Sequence, residues 1–177
     1  MRKIISGRRC QSRGDFEFQI NTANTQTGSS TATQFYFPII DGTDKQGLNI
    51  NFTIDWGDGV SSDIDSSNYS TDCLHTYSSS GIYDIKVRGS IAGFAFYSGG
   101  LPSGKKDSSK LIKIKNWGDL NLTGGANSTG FTGLGNAFRD CVNLTEILCS
   151  DVPTFVNGIP GVTPNHGIGA RQMFSGC

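Results

Sequence analysis

Hydrophobic and polar residues alternate along much of the first hundred positions. Phe16, Phe18 and Ile20 are separated by Glu17 and Gln19, and a polar stretch from Asn21 to Thr33 leads into Phe35-Tyr36-Phe37. Leu48, Ile50, Phe52, Ile54 and Trp56 alternate with Asn49, Asn51, Thr53 and Asp55. Side chains of a strand point to opposite faces in turn, so this set predicts a half-buried strand over 48–56. It ends at Gly57-Asp58-Gly59, where glycine supplies positive φ and Asp bonds the backbone two residues on. Ile64 opens a further short strand, Leu74-His75-Thr76-Tyr77 another, and Ser78 to Gly81 form a turn. In the strand over 82–89 Tyr83, Ile85 and Val87 share a face, and Ile91, Phe94 and Phe96 lead out of it. Short strands with turn signals at intervals of about 8–12 residues predict a β-sandwich over 15–97.

Residues 98–177 have a different texture, that of an internal repeat. The segment from Lys110 to Leu120 aligns with that from Asn143 to Pro153 at an offset of 33, pairing Leu111 with Leu144 and Ile114 with Ile147. Ala137-Phe-Arg-Asp-Cys141 aligns with Met173-Phe-Ser-Gly-Cys177 at an offset of 36. A repeat of this size predicts a short solenoid, irregular because the Gly/Pro-rich loops over 123–135 and 157–169 stretch it. The fold class expected is mainly β: a sandwich followed by a short solenoid, with boundaries at 1–14, 15–97 and 98–177.

Composition sharpens this picture. Gly, Ser, Thr and Asn supply 71 of the 177 residues, 24 of them Gly. Long amphipathic helices need Ala, Leu, Glu, Lys and Gln in quantity, so an all-α fold is excluded. The net charge is zero, yet Arg2, Lys3, Arg8, Arg9 and Arg13 precede the first acidic residue, Asp15, which leaves the remainder at −5. Such a basic arm without interleaved aromatics fits a solvated or docking terminus better than a nucleic-acid contact. No membrane span is expected, and the positive start lacks the apolar run of about 7–15 residues of a secretory signal. Cys10, Cys73, Cys141, Cys149 and Cys177 form no C-x-x-C pair and are odd in number, so buried free thiols are expected.

Asp55-Trp56-Gly57-Asp58-Gly59, then His75-Thr76-Tyr77, Gly81 and Tyr83-x-Ile85-x-Val87, resemble a PKD-type domain. The resemblance implies an immunoglobulin-like sandwich that serves surface proteins as spacer or ligand platform, with His75 structural and packed near the turn. The strings Ala137-Phe-Arg-Asp-Cys141, Asn143-Leu-Thr145 and Met173-Phe-Ser-Gly-Cys177 resemble BspA-like leucine-rich repeats, in which such a segment closes a helical turn and the next strand begins. The family's repeats are shorter than 33–36 residues, and the chain stops at Cys177, in mid-repeat. An end of this kind leaves an apolar face and an open strand edge, which implies either a fragment of a longer product or a partner that covers that end.

Candidate chemistry is sparse. Asp55, Asp58, Asp63 and Asp84 are the carboxylates nearest to a calcium set, but the EF-hand pattern is missing and turn formation explains them better. Cys73-x-His75 is not a zinc spacing. His75 and His166 are the two histidines, no G-x-S-x-G motif accompanies them, and Glu17 and Glu146 sit in strand patterns. Gly133-Leu-Gly135 fails the phosphate-loop pattern. Arg13-Gly14-Asp15 spells an integrin-type tripeptide, and N-x-S/T sequons fall at Asn51, Asn68, Asn121, Asn127 and Asn143. No catalytic, cofactor or metal residue is assigned, and no enzyme is expected.

The function expected is that of a bacteriophage virion structural protein: a capsid decoration, neck or tail-fibre subunit, made in the host cytoplasm and displayed on the virion surface. Its partners would be other virion proteins or copies of itself, met through the N-terminal arm and the C-terminal repeat end, with a host-surface glycan or protein as a further contact. The alternative is a piece of a bacterial cell-surface adhesin or carbohydrate-binding protein.

Overall fold

The computed structural model describes residues 14–39, 50–65, 67–91, 94–96, 106–118, 120, 137–153 and 173–177. The basic arm, Leu48, Cys10, His166, Gly133 to Gly135 and both long loops lie outside these residues. The described chain is mainly β, with strands β1 (Phe16–Asn21), β2 (Gln34–Tyr36), β3 (Asn51–Asp55), β4 (Ser61–Asp65), β5 (Leu74–Thr76), β6 (Ile82–Ser90), β7 (Leu111–Asn116) and β8 (Glu146–Ile147). Helix is confined to one turn, α1 (Tyr69–Asp72), and a 3-10 turn at Asp107–Lys110. Among the described residues no helix is long and apolar enough to cross a membrane.

Six strands form one mixed sheet in the order β4-β3-β6-β1-β7-β8, and β2 pairs with β5 in a second. The expected alternation is realised: Phe16, Phe18 and Ile20 of β1, Phe52 and Ile54 of β3, and Ile85 and Val87 of β6 are all buried on one face. Phe35 of β2 and Phe37 just after it meet that face, each with its ring centre 6.1 Å from Phe18 and, for Phe37, 5.5 Å from Phe52. The core is thus rich in aromatic rings packed against one face of the large sheet. On the opposite face polar residues pair across strands: Glu17 stands beside Lys86 and Gln19 beside Asp84 in the β1–β6 register. Gly89 lets β6 approach β3, because a Cβ there would sit 2.5 Å from the Asn51 carbonyl oxygen, at φ +120°.

The strands on either side of residue 97 share the large sheet. β7 runs antiparallel to β1, with Gln19 opposite Lys113. β8 runs parallel to β7, with Lys113 opposite Glu146 and Ile114 opposite Ile147, the 33-residue offset read from the sequence. Burial along β7 recurs every third residue, at Leu111 and Ile114, instead of alternating. The two segments aligned at offset 36 also lie against each other. Phe138 N–H donates to the Met173 carbonyl (3.0 Å), Asp140 N–H to that of Ser175 (2.9 Å), and the Phe138 and Phe174 rings stack at 5.5 Å. Equivalent positions in the two copies adopt positive φ, Asp140 at +61° and Gly176 at +81°. Asp is among the few side chains that tolerate this region, which is why Asp and Gly can exchange there. Phe138 also packs on Phe94, Phe96 and Trp117, so the buried hydrophobic side chains form one cluster.

The second repeat segment contributes the two-residue strand Glu146–Ile147. One expectation is corrected. Burial of the thiols holds for Cys73 and Cys141, but Cys149 is half-buried and Cys177 exposed. Both lie in the outer copy of the repeat, which has a neighbour on one side only among the described residues.

Candidate functional site

The residues singled out around the Trp-Gly-Asp-Gly turn come together at one end of the β3–β4 hairpin. Asp55 Oδ1 accepts from Gly57 N–H (2.9 Å) and Asp58 Oδ1 from Val60 N–H (3.1 Å), so each carboxylate folds its own turn. Gly57 has φ +80°, and a Cβ on it would stand 2.4 Å from the Asp84 carbonyl oxygen. From β5, His75 reaches across: its Nε2 lies 2.8 Å from Asp58 Oδ2, and its ring stacks on Trp56 at 4.8 Å and 7°. Tyr77 meets the His75 ring edge-on at 4.5 Å and donates its hydroxyl to the Trp56 carbonyl (3.0 Å). Tyr83 stacks on Tyr77.

Electrostatics fit a brace better than a reactive centre. Burial works against the charge on Asp58, but hydrogen bonds from His75 and the Val60 amide hold its carboxyl below the ordinary range. Burial, reinforced by Asp58, pushes the Tyr77 phenol far upward, so it holds its proton. Trp56 is fully buried and its Nε1–H donates to Ser62 Oγ (2.9 Å), which leaves no indole face for a ligand. His75 is thus packed between Trp56 and Tyr77 and bonded to Asp58.

The other candidate groups are dispersed. Asp63 accepts from the Thr53 hydroxyl (2.7 Å), and Asp84 from Gln19 (3.0 Å) and Lys115, so the four carboxylates considered for calcium face different partners. Among the described residues no three His, Cys, Asp or Glu side chains gather as a metal set. Glu17 pairs with Lys86 (3.7 Å) and Glu146 with Lys113 (3.0 Å). Asp15 of the Arg-Gly-Asp tripeptide is held by Arg88 through two hydrogen bonds of 2.8 and 3.0 Å, which lower its pKa. Asn143 donates its side-chain amide to the Ser109 carbonyl (2.7 Å), joining the two repeat copies.

The strongest surface feature is the edge formed by β8. At the opposite end of the sheet β4 carries Asp63 and Asp65, charges that discourage a further strand. The charge of β8, Glu146, is bound to Lys113. Along the segment that carries β8, Val142, Ile147, Leu148 and Val152 are exposed, and with Phe174 they make five of the eight exposed large hydrophobics among the described residues, at 37–68% exposure. What the sequence pattern does not reveal is the buried lysine and carboxylate of Lys110 and Asp107, in a Lys-Asp-Ser-Ser-Lys run.

Comparison with protein-family models, curated proteins and solved structures finds no match to the chain.

Proposed function

We propose that the chain is a non-enzymatic structural protein of a bacteriophage virion, a capsid decoration, neck or tail-fibre subunit that docks through its ends. In this reading the region over 15–97 is a PKD-like sandwich that serves as platform. The region over 98–177 is a BspA-like repeat solenoid whose outer copy meets a neighbour. The observation that carries the reading is the β8 edge, paired on one side only among the described residues, with Ile147 and Leu148 exposed on and next to it and Phe174 exposed in the second copy of the 36-residue repeat. The solenoid reading draws on the parallel pairing of Ile114 with Ile147 and the stacked rings of Phe138 and Phe174. An exposed apolar edge is costly on a free-standing protein and is ordinarily covered by a partner.

The basic arm supplies the second contact in this reading, since Arg2, Lys3, Arg8, Arg9 and Arg13 oppose a remainder of net −5. The test is incorporation into particles or oligomers, followed by sedimentation, for Phe174→Asp and for a variant lacking residues 1–13. Loss of incorporation in either, with folding intact, supports docking. Monodisperse monomers for the parent and both variants would favour the second reading, a bacterial surface adhesin or carbohydrate-binding protein. That reading draws on the same PKD-type and repeat resemblances.

A further inference from the structure

The 3-10 turn Asp107–Lys110 places a lysine and a carboxylate in the interior, at 0% and 2% exposure. The Asp107 carboxylate receives three donors from the segment between β1 and β2 and from β2 itself. Ser30 N–H (2.7 Å) reaches one oxygen, and Ser30 Oγ–H (2.6 Å) and Tyr36 N–H (2.7 Å) the other. The Lys110 ammonium donates to the carbonyl oxygens of Ser30 (3.2 Å), Thr31 (2.7 Å) and Gln34, and to Ser30 Oγ (2.7 Å). Asp107 Oδ1 stands 3.7 Å from the same nitrogen. An ammonium has three N–H groups, so five oxygens around one nitrogen form a coordination shell that exceeds its donor count.

The structure assigns this shell as a binding site for a monovalent cation of the primary-ammonium class, occupied by the chain's own Lys110. Three features argue for a preformed site. The oxygens come from four residues of two separate segments, residues 30–34 and Asp107, and they converge on one point. Three of the five are backbone carbonyls, whose negative ends would repel one another if nothing positive stood between them. Asp107, buried and holding three hydrogen bonds of its own, supplies the one formal charge needed to balance a single cation, and a buried charge without that balance is strongly unfavourable. The lysine stem enters from the start of β7, so the cation fastens the approach to β2 onto the first repeat strand. The inference is independent of any virion role.

The site predicts chemical rescue. Lys110→Ala removes three methylenes and the nitrogen, the size of n-propylammonium. Its thermal midpoint is expected to fall well below that of the parent. It should rise saturably by several degrees in n-propylammonium chloride, as linkage requires of a ligand that binds only the folded chain. Tetramethylammonium chloride at equal ionic strength, lacking N–H donors, should give no such rise, and the parent should melt identically in both salts. Lys110→Met, which refills the volume without the charge, should be destabilised and unresponsive to either salt. Equal midpoints of Lys110→Ala in the two salts, or a Lys110→Met variant as stable as the parent, would overturn the assignment. Should neither variant fold, the parent decides by nitrogen-15 NMR. One lysine ammonium must exchange its protons slowly enough to be seen at neutral pH and vanish only on unfolding, and its absence refutes the site.

Discussion

Replacing Trp56 with alanine tests the link between the alternating pattern and the core. The indole is fully buried, stacks on His75 at 4.8 Å and gives its Nε1–H to Ser62 Oγ at 2.9 Å. Removing a buried Trp side chain costs about 3–5 kcal/mol through lost transfer energy and the cavity left behind. The ring stack accounts for about 0.5–1.5 kcal/mol of specific interaction. Against a total stability of about 5–15 kcal/mol the variant retains little or no folded population at the lower end of that range. In urea, with a slope of about 1–3 kcal/mol per molar, the midpoint should fall by about 1 M or more at unchanged slope. Trp56→Phe, which keeps a ring against His75 but loses the bond to Ser62, should lose roughly half as much. Circular dichroism follows the transition without relying on the deleted fluorophore. A loss below about 1 kcal/mol for Trp56→Ala would refute the placement of this side chain at the centre of the packing.

Three further outcomes follow from the same geometry. Gly89→Ala places a Cβ 2.5 Å from the Asn51 carbonyl at φ +120°, so denaturation should show a loss of at least about 1–3 kcal/mol from backbone strain alone, and a neutral result would contradict the close approach of β6 to β3. Asp15, Asp58 and Asp84 all have lowered pKa values in the folded chain, so their contribution to stability is complete above the unfolded carboxylate pKa of about 4 and is lost as pH falls through the lower folded values. Melting temperature should therefore decline increasingly steeply below about pH 4, and Asp15→Asn should weaken that dependence. For thiol labelling read by peptide mass, Cys177 should react in the native protein, whereas burial pushes Cys73 up to about 12 and cuts its thiolate fraction roughly a thousandfold, so Cys73 and Cys141 should react only after unfolding.

Much of the strand pattern was legible because half-buried strands write their geometry into every second residue: β1 buries Phe16, Phe18 and Ile20, β3 buries Phe52 and Ile54, and β6 buries Ile85 and Val87 while Tyr83 stays half-buried. The turn at Gly57 to Gly59 was legible because Asp and Gly have few alternatives there. The 33-residue offset carried a register, Ile114 opposite Ile147, since stacked copies must pair equivalent positions. Less legible was the pairing of β7 with β1, which joins the two regions in one sheet through a contact about 90 residues apart in the chain and leaves no local signal. The buried pair of Lys110 and Asp107 was illegible for a different reason. Charged residues in a Ser-rich run are ordinarily solvated, and only the converging carbonyls of residues 30–34 make burial possible. The packing of His75 on Trp56 and its bond to Asp58 left no signal in residue spacing.

The central claim, that the outer repeat copy docks in an assembly, is tested most directly by hydroxyl-radical footprinting of the full chain in virions and as isolated protein. Ile147, Leu148 and Phe174, all well exposed in the isolated chain, should be oxidised there and strongly protected in the particle, while Ile82 on the far side of β1 keeps its reactivity. Equal oxidation of Ile147, Leu148 and Phe174 in both states, or absence of the chain from particles altogether, would contradict the claim.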